Sequence, residues 1–379
     1  MAFALTGARI FDGARLVEGA AVIVDGRTIK AFVPERDLPP GLEQQTVEGL
    51  IAPGFIDVQV NGGGGVLFND QRSVEGIAAI GAAHRRFGTT GYLPTFITDD
   101  SGKMGEAVEA VRAGLKAGLP GLLGIHLEGP FLNPSRKGVH EARFMRDMAD
   151  VDIALVSAPG IGRVMVTLAP ERVPAATIAR LAKAGVRVSA GHTEADVETI
   201  RVARGAGLTG FTHLFNAMPQ LAGRAPGPVG AALDDPEAWC SIIVDLHHVD
   251  PVNLRVAIAA RGFERTMLVT DAMPTVGTDL KSFELLGRTI MRRDGRLTTG
   301  EGTLAGSDLD MASAVRNAVA ELGLSLEGAL HMASRAPAEF LGLGGELGRI
   351  APGFRASLVL LDEDLMVTQT WIDGASSPR

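Results

Sequence analysis

The sequence predicts an α/β protein, a (β/α)8 TIM-like barrel with a small β-sandwich domain built from the N- and C-terminal segments. From residue 51 onward, short apolar strands alternate with longer helical segments containing Ala and Glu, which is the pattern of repeated strand–helix units. The first 50 residues and the tail after residue 345 have β character instead. At 379 residues, of which 46% are hydrophobic, the chain is long enough for one large domain and a smaller companion.

The two ends of the chain account for the small domain. In "AAVIVDGRTIKAFV" the pair Asp25-Gly26 lies between two strand-forming runs, a typical signal for a two-residue hairpin. The tail contains "RASLVLLDEDLMVTQTWIDG", which also has strand character. We therefore expect residues 1–50 and 346–379 to pair in one β-rich domain, beside a barrel domain that covers residues 51–345.

The barrel domain contains eight predicted strands, at 55–60, 91–97, 122–127, 164–168, 186–190, 209–214, 241–245 and 267–270. Helices are predicted between most of them, at 74–87, 103–116, 175–184, 194–203 and 251–261. An open doubly wound sheet is the alternative, but fewer strands are typical of it. After the eighth strand we expect an inserted hairpin around Asp294-Gly295, then helices between residues 312 and 341.

Composition excludes several classes of protein. A net charge of −8 argues against a nucleic-acid-binding protein, which normally has a basic surface. The single cysteine, Cys240, allows neither a disulfide framework nor a cysteine zinc cluster. The sequence shows no secretory signal and no uncharged apolar stretch of 18 residues. We expect a soluble cytoplasmic protein that binds no membrane.

Polar side chains lie near the ends of several predicted strands, where the chemistry of such barrels is located. The third strand ends in "GIHLEGPF", and the fifth, sixth and eighth end near "AGHT", "THLFNAM" and "VTDAM". Glu128, His192, His213 and Asp271 therefore form a candidate site for a divalent transition metal with a general base. Each residue alone could be an ion-pair partner, a cap or a satisfied core residue, but their joint placement favours a site.

The other histidines near these strands are assigned by their positions relative to the strand ends. His126 precedes Glu128 by two residues on the same strand face, so we expect it behind a ligand rather than as one. His140 and His248 lie in predicted loops after strands, where substrate contacts are made. His247 is the alternative to His248 as the residue that faces the site.

Several segments, in order along the chain, resemble the N-acetylglucosamine-6-phosphate deacetylase family of the amidohydrolase superfamily. They are "APGFIDVQVNG", "HLEGPFLN", "KGVH", "SAGHT", "THLFNAM", "GRAPG" and "VTDAM". The resemblance extends from about residue 50 to "LAGSDLDM" at 304–311, and the β-rich ends fit the family too. Several separate motifs in the right order are more specific than any one of them.

The resemblance implies roles for individual residues. The metal ligands are implied to be Glu128, His192 and His213, and Asp271 to be the general base and acid. His140 is implied to contact the substrate near its amide. Contacts to the sugar and its phosphate are implied for a further set of residues: Asn216, Ala217, Arg224, His248 and Leu304.

The implied reaction is metal-dependent hydrolysis of the N-acetyl group of N-acetyl-D-glucosamine 6-phosphate, which gives D-glucosamine 6-phosphate and acetate in amino-sugar metabolism. The partner is therefore a small phosphorylated amino sugar. Two imidazoles, a carboxylate and water suit Zn²⁺, while Fe²⁺, Co²⁺ and Mn²⁺ are also admissible. Because members of the family are commonly dimers, a homodimer is expected.

The first barrel strand departs from the superfamily pattern. Its end reads "FIDVQVNGGGG", where the superfamily usually has His-x-His as metal ligands. Here the two positions are Gln59 and Asn61, and an amide is a much weaker ligand than imidazole for such metals. We expect one divalent metal per chain, with a weak or vestigial second-metal position at Gln59 and Asn61. The glycines lack the Gly-Lys-Ser continuation of a phosphate loop, so we expect them to give the loop room beside the site.

Three alternative functions are compatible with parts of this pattern. A deacetylase for a different acylamino sugar would use the same residues. A two-metal cyclic-amide hydrolase usually needs a carboxylated lysine at the end of the fourth strand, where "VTLAPE" has none. A catalytically inactive barrel that serves as a scaffold typically loses ligand residues, whereas all four candidates are present here.

Overall fold

A computed structural model describes residues 2–378. Eight parallel strands form one sheet in the order in which they occur along the chain. A parallel bridge between Val60 and Ala272 closes this sheet into a barrel, which confirms the predicted (β/α)8 fold. The barrel strands are Phe55–Val60, Thr89–Ile97, Gly124–Glu128, Arg163–Leu168, Arg187–Ala190, Leu208–Phe211, Trp239–Ile242 and Thr266–Leu268.

Helices follow the strands. Several begin at a side chain that accepts a hydrogen bond from a first-turn N–H, as Ser73 does from Gly76 and Asp196 from Thr199, which stabilises a helix start. No helix within residues 2–378 is both long and apolar enough to span a membrane. The α-helices are Val74–Arg85, Ser101–Lys116, Asp150–Val156, Ala175–Lys183, Val197–Gly205, Gly227–Asp234, Pro251–Arg261, Met311–Ala320, Leu326–Ala333 and Arg335–Phe340. Short 3-10 helices lie at Glu35–Asp37, Pro134–Arg136, Ala142–Phe144 and Pro170–Arg172.

Some predicted strands end earlier than expected. The sixth was predicted to reach residue 214 but ends at Phe211, and the seventh was predicted to reach residue 245 but ends at Ile242. The backbone turns just beyond these ends, because His213 has φ 33° and Leu246 has φ 66°. Such angles lie outside the extended region, so pairing stops before them. The side chains at the strand ends are therefore on tight turns rather than on the strands themselves.

The ends of the chain form two further sheets. The first has four strands: Ala2–Thr6, Ala20–Asp25, Thr28–Pro34 and Glu43–Thr46. The second has six and joins both ends of the chain: Arg9–Phe11, Leu16–Val17, Leu50–Pro53, Leu358–Leu361, Val367–Ile372 and Ala375–Pro378. Leu358–Leu361 pairs antiparallel with Leu50–Pro53, so the C-terminal segment attaches directly to the strand that leads into the barrel. Leu5, Ile10, Ile51 and Trp371 belong to the apolar core between these strands.

An inserted three-stranded sheet follows the eighth barrel strand, at Ser282–Leu285, Arg288–Arg293 and Arg296–Thr298. Its tip is the predicted Asp294-Gly295 turn, where both residues have positive φ and Arg293 pairs with Arg296. Leu285, Ile290 and Leu297 pack in an apolar cluster with Val139, from the loop after the third strand. The insertion therefore covers one side of the barrel mouth.

The glycines after the first strand make a tight loop, which contains the short strands Gly62–Gly63 and Val66–Leu67. A Cβ atom on Gly62 would lie 2.4 Å from the carbonyl oxygen of Val66, and one on Gly63 would lie 2.8 Å from Nε2 of the buried His84. Only glycine fits such approaches without movement of the neighbours. The loop is thus shaped by close packing.

The junction of the first and eighth strands contains a buried carboxylate, Asp57. Its oxygens accept hydrogen bonds from the hydroxyl of Thr270 (2.5 Å) and the backbone N–H of Gln59 (3.1 Å). Burial raises the pKa of Asp57 to about 7, although the hydrogen bond from Thr270 acts in the opposite direction. Asp57 thus links the strand that carries Gln59 to the segment that leads into Asp271.

We expect Asp57→Asn to change how stability depends on pH. The pKa of Asp57 is about 7 in the folded protein and 3.8 ordinarily, so its stabilising contribution is present below pH 4 and lost as the pH rises through 7. Between pH 5 and 8 the stability of the wild type should fall relative to Asp57→Asn, by at most about 1.4 kcal/mol per pH unit. Urea unfolding measures this difference, with the exposed Asp25→Asn as control. A difference independent of pH would contradict the assignment.

Candidate active site

A cavity of about 520 Å³ opens at the carboxyl ends of the barrel strands. Glu128, His192, His213 and Asp271 all line it, so the structure brings together the four residues that the strand ends indicated. The parallel arrangement makes this unavoidable, because side chains that follow parallel strands meet at one end of the barrel. His192 (φ 49°), His213 (φ 33°) and Asp271 (φ 53°) all have left-handed backbone conformations, which are common at functional sites because they aim side chains inward.

Three of these residues converge on one point. Oε1 of Glu128 lies 2.9 Å from Nε2 of His213 and 3.2 Å from Nε2 of His192. The two Nε2 atoms are 3.2 Å apart. In tetrahedral coordination with bonds of about 2.0–2.2 Å, neighbouring ligand atoms are separated by about 3.3–3.6 Å. The three atoms are therefore near the spacing that a tetrahedral divalent metal requires.

The hydrogen bonds of His192 support a cation at that point. Its Nδ1 lies 2.7 Å from the carbonyl oxygen of Arg136, and a carbonyl accepts only, so Nδ1 carries the hydrogen. In the neutral ring Nε2 is then a bare acceptor, yet it faces a carboxylate oxygen of Glu128. Two acceptors in contact repel each other unless a cation lies between them. The donor set therefore fits a divalent metal.

The pKa shifts of Glu128 and His213 are consistent with a cation at this point. Burial acts to raise the pKa of Glu128, but the two imidazoles of His192 and His213 outweigh it and hold the pKa well below the usual value. Burial acts to lower the pKa of His213, but the neighbouring Glu128 outweighs it and raises the pKa. The buried carboxylate is thus anionic and attracts positive charge.

His140 is a geometric alternative to His213 as a ligand, because donor atoms of Glu128, His140 and His192 lie within 4.8 Å of one another. Its contacts indicate another role. Nδ1 of His140 lies 2.9 Å from the hydroxyl of Thr98, and the backbone N–H of Thr98 points to the same nitrogen at 3.4 Å. Because a backbone N–H can only donate, the second contact favours the tautomer with hydrogen on Nε2. Burial, and then the nearby His192, lower the pKa of His140 to about 3. A neutral ring with an Nε2–H toward the cavity is a hydrogen-bond donor rather than a ligand.

Asp271 is held by the two amides of the first strand. Nδ2 of Asn61 donates to Oδ1 of Asp271 at 2.6 Å, and Nε2 of Gln59 donates to the same oxygen at 3.1 Å. Gln59 also donates to Oε1 of Glu128 at 3.2 Å. Burial, and then the charge of Glu128, raise the pKa of Asp271 to about 6. A carboxylate with a pKa near neutrality is suited to accept and return a proton.

The same contacts bear on the second-metal position. Both amides turn their NH₂ groups toward carboxylates, and their oxygens, Oε1 of Gln59 and Oδ1 of Asn61, are buried without a hydrogen-bond partner. An amide nitrogen does not ligate a metal. In this arrangement two NH₂ groups that donate hydrogen bonds occupy the place where the superfamily usually has imidazole ligands. One metal per chain stays the expectation.

His126 lies below the site, as expected from its position on the third strand. Its Nδ1 contacts the hydroxyl of Thr95 at 3.1 Å and its Nε2 contacts that of Thr167 at 2.8 Å. The hydroxyl of Thr167 is in turn hydrogen-bonded to the hydroxyl of Thr212 at 2.7 Å. With both ring nitrogens occupied, His126 belongs to a hydrogen-bonded chain across the barrel interior and is not a ligand.

The implied substrate contacts fall into two groups. Asn216, Ala217, His248 and Leu304 line the cavity. Arg224 is exposed, on the segment before the helix Gly227–Asp234, and it does not line the cavity. Its role as a phosphate ligand stays a prediction.

The open question between His247 and His248 has a structural answer. His248 lines the cavity, and its Nδ1 lies 2.6 Å from Oδ2 of Asp245. His247 does not line it, and its Nδ1 accepts a hydrogen bond from Nε of Arg296 at 3.2 Å.

Sequence reasoning missed several residues that shape the site. Arg136 lines the cavity, orients His192 through its carbonyl and forms an ion pair with Glu194. Thr98 orients His140. Asp57 lies on the first strand, two residues before Gln59. None of them lies in a metal-ligand pattern, so only the contacts reveal them.

Comparisons with known proteins agree with this geometry. Residues 50–376 match the Amidohydrolase family, and residues 2–51 match the NagA composite domain. The chain belongs to the amidohydrolase family. Membership supports metal-dependent amide hydrolysis, and the model of the family covers the whole barrel.

Individual relatives narrow the likeness within the amidohydrolases. The chain is 41% identical to an N-acetylgalactosamine-6-phosphate deacetylase of Shewanella sp. (strain ANA-3), covering 97% of this chain and 94% of that one. It is 34% identical to an N-acetylglucosamine-6-phosphate deacetylase of Haemophilus influenzae, covering 99% of each. The crystal structure of N-acetylglucosamine-6-phosphate deacetylase from Pasteurella multocida superposes with a TM-score of 0.96 at 36% identity, covering 100% of both chains. The resemblance to the deacetylase family is confirmed.

We expect Glu128→Gln to lose metal. The carboxylate oxygen of Glu128 contacts both imidazoles. Replacing it with a neutral amide should lower the affinity for a divalent metal by about 100-fold or more, which exceeds the usual effect of changing a residue that only supports a ligand. Elemental analysis after dialysis against a weak chelator measures retention. His126→Gln is the matched control, since it alters an imidazole two residues away and should keep the metal. Full retention in Glu128→Gln would exclude Glu128 as a ligand.

Proposed function

We propose that this protein is an N-acetylglucosamine-6-phosphate deacetylase, which hydrolyses N-acetyl-D-glucosamine 6-phosphate to D-glucosamine 6-phosphate and acetate. The observation that carries the proposal is the convergence of Glu128, His192 and His213 beside Asp271 in one cavity. Near-full-length relatives of the same activity support the choice of substrate.

Each residue at the site has a separate role in the proposed reaction. A divalent cation held by Glu128, His192 and His213 would polarise the acetyl carbonyl and lower the pKa of the attacking water. Asp271 accepts the proton of that water and delivers it to the departing amine. His140 donates its Nε2–H to the carbonyl oxygen, which gains negative charge as the water attacks. Gln59 and Asn61 keep the oxygen of Asp271 in place through both steps.

The sugar phosphate occupies the opposite side of the cavity in this proposal. Asn216, Ala217 and Leu304 line the cavity and are proposed to contact the sugar, while His248 is proposed to contact the phosphate. Arg224 is proposed as a further phosphate ligand, because its planar guanidinium matches two phosphate oxygens.

The metal is proposed to be Zn²⁺, at one ion per chain. Two imidazoles and one carboxylate are typical of catalytic zinc sites. Fe²⁺, Co²⁺ and Mn²⁺ accept the same ligands. A cytoplasmic homodimer with a β-rich domain of residues 1–50 and 346–379 completes the proposal.

The 4-epimer of the sugar is the second candidate substrate. The Shewanella relative, at 41% identity, is an N-acetylgalactosamine-6-phosphate deacetylase. The two substrates differ only in the configuration of one hydroxyl group, so the same metal, base and donor serve both.

Acetate release by metal-stripped protein tests the function. We expect no turnover without metal and rapid turnover of N-acetylglucosamine 6-phosphate once Zn²⁺ or another divalent metal is restored. N-acetylgalactosamine 6-phosphate, assayed in parallel, decides between the epimers through the ratio of kcat/KM. Failure to release acetate from either sugar phosphate with any of the four metals would contradict the proposal.

We expect Asp271→Asn to keep the metal and lose turnover. Its amide cannot accept the proton of water, so kcat should fall by about 10²–10⁴-fold, while the ligand set is unchanged. Steady-state assays give kcat, and elemental analysis of the same sample is the control for metal content. Substantial activity in a metal-loaded Asp271→Asn sample would remove Asp271 from the mechanism.

A further inference from the structure

The turn after the seventh barrel strand uses both oxygens of one carboxylate, that of Asp245. Oδ1 accepts hydrogen bonds from the backbone N–H groups of His247 and His248, each at 2.9 Å. Oδ2 lies 2.6 Å from Nδ1 of His248. The side chains of His248 and Asp245 are only 8% and 6% exposed, so water competes little for these bonds. Asp245 and His248 thus form one fixed unit at the wall of the cavity.

The backbone around this unit is constrained as well. Leu246, between the two residues, has φ 66°, a conformation that a leucine keeps only when its surroundings enforce it. Just before the turn, Nδ2 of Asn317 donates to the carbonyl oxygen of Val244 at 2.8 Å. These contacts leave the His248 ring one orientation, in which Nδ1 faces Asp245 and the rest of the ring lines the cavity.

The carboxylate decides where the hydrogens of His248 lie. Burial acts to raise the pKa of Asp245, but the hydrogen bond from His248 brings it below the usual value, so the carboxylate is ionised. An ionised carboxylate at Nδ1 requires a hydrogen on that atom, so Nε2 is the ring nitrogen left to face the cavity. A proton shared between Nε2 and a phosphate oxygen would make the ring a charged donor, and charge-assisted hydrogen bonds to phosphate are strong.

We propose that Asp245 is a positioning residue for recognition of the substrate's 6-phosphate, acting by holding His248 with its Nε2–H toward a phosphate oxygen. The inference rests on the proposed function, in which His248 contacts that phosphate. Asp245 does not line the cavity, so it acts on the substrate only through His248. Its effect is therefore on binding of phosphorylated sugars only.

The neighbouring His247 offers a matched control. Its backbone N–H donates to the same oxygen of Asp245, but its ring faces Arg296 and does not line the cavity. His247→Asn keeps the backbone contact and alters only the outer ring. We expect this variant to have the kinetics of the wild type.

The test compares N-acetylglucosamine 6-phosphate with unphosphorylated N-acetylglucosamine on Asp245→Asn. An amide at this position presents NH₂ or a weaker acceptor to Nδ1 of His248. We expect KM for the phosphorylated sugar to rise by about 10- to 100-fold, the size expected when one hydrogen bond to a charged group is lost. The kcat should stay within a factor of about two, and the kinetics of the unphosphorylated sugar should not change.

A double variant separates positioning from general damage. If Asp245 acts through His248, Asp245→Asn adds nothing to His248→Asn for the phosphorylated sugar. Additive losses, or equal losses on both sugars, would overturn the inference. A wild type that prefers the phosphorylated sugar, with an unaffected Asp245→Asn, would overturn this inference and leave the proposed function standing. A wild type inactive on both sugars would overturn both.

A measurement on the unaltered protein covers the case in which Asp245→Asn does not fold. Nitrogen NMR of ¹⁵N-histidine-labelled protein, with His248→Asn to assign the signal, reports which ring nitrogen carries hydrogen. We expect Nδ1 of His248 to be protonated, and Nε2 to gain a hydrogen-bonded proton when inorganic phosphate is added. A ring protonated on Nε2 alone would overturn the inference.

Discussion

The active site depends on one buried charge, the carboxylate of Glu128 between two imidazoles. Its oxygen contacts Nε2 of both His192 and His213, and a carboxylate taken out of water requires such partners or a cation. The candidate metal site and the raised pKa of Asp271 follow from this charge and from burial. His140 stays neutral because burial and the nearby His192 lower its pKa, although Glu128 acts in the opposite direction. The chemistry proposed for the protein is thus a consequence of how that charge is compensated.

The partners of the Glu128 charge lie on tight turns that follow barrel strands. His192, His213 and Asp271 each follow a strand in a left-handed conformation, which turns their side chains into the cavity at some cost in backbone strain. Neighbouring contacts hold these turns, as when the backbone N–H of His213 donates to Oγ of Ser241 at 2.8 Å. Asp57 provides similar support beneath Asp271, where the first and eighth strands meet. The strain and its support lie at the same end of the barrel.

The first strand shows how a family pattern can change without losing the site. Amide donors at Gln59 and Asn61 hold Asp271 directly, in the place where two imidazoles usually hold a metal. In the proposed mechanism a hydrogen-bonded base and a single cation share the activation of water. His248 and Asp245 form a separate hydrogen-bonded pair at the cavity wall. In the proposed function His248 of this pair contacts the phosphate, while Asp271 and the candidate metal ligands act on the acetyl group.

The barrel, most of its elements and the four residues at its centre could be predicted from the sequence. Strand–helix alternation and polar residues at strand ends are local patterns, and parallel strands leave little freedom in where their ends meet. Which side chains orient these four residues could be seen only in the folded structure. Arg136 acts through its carbonyl, Asp57 through a partner more than 200 positions away, and Arg224 lies outside the cavity. Such roles depend on distances between segments remote in the chain, which no local pattern records.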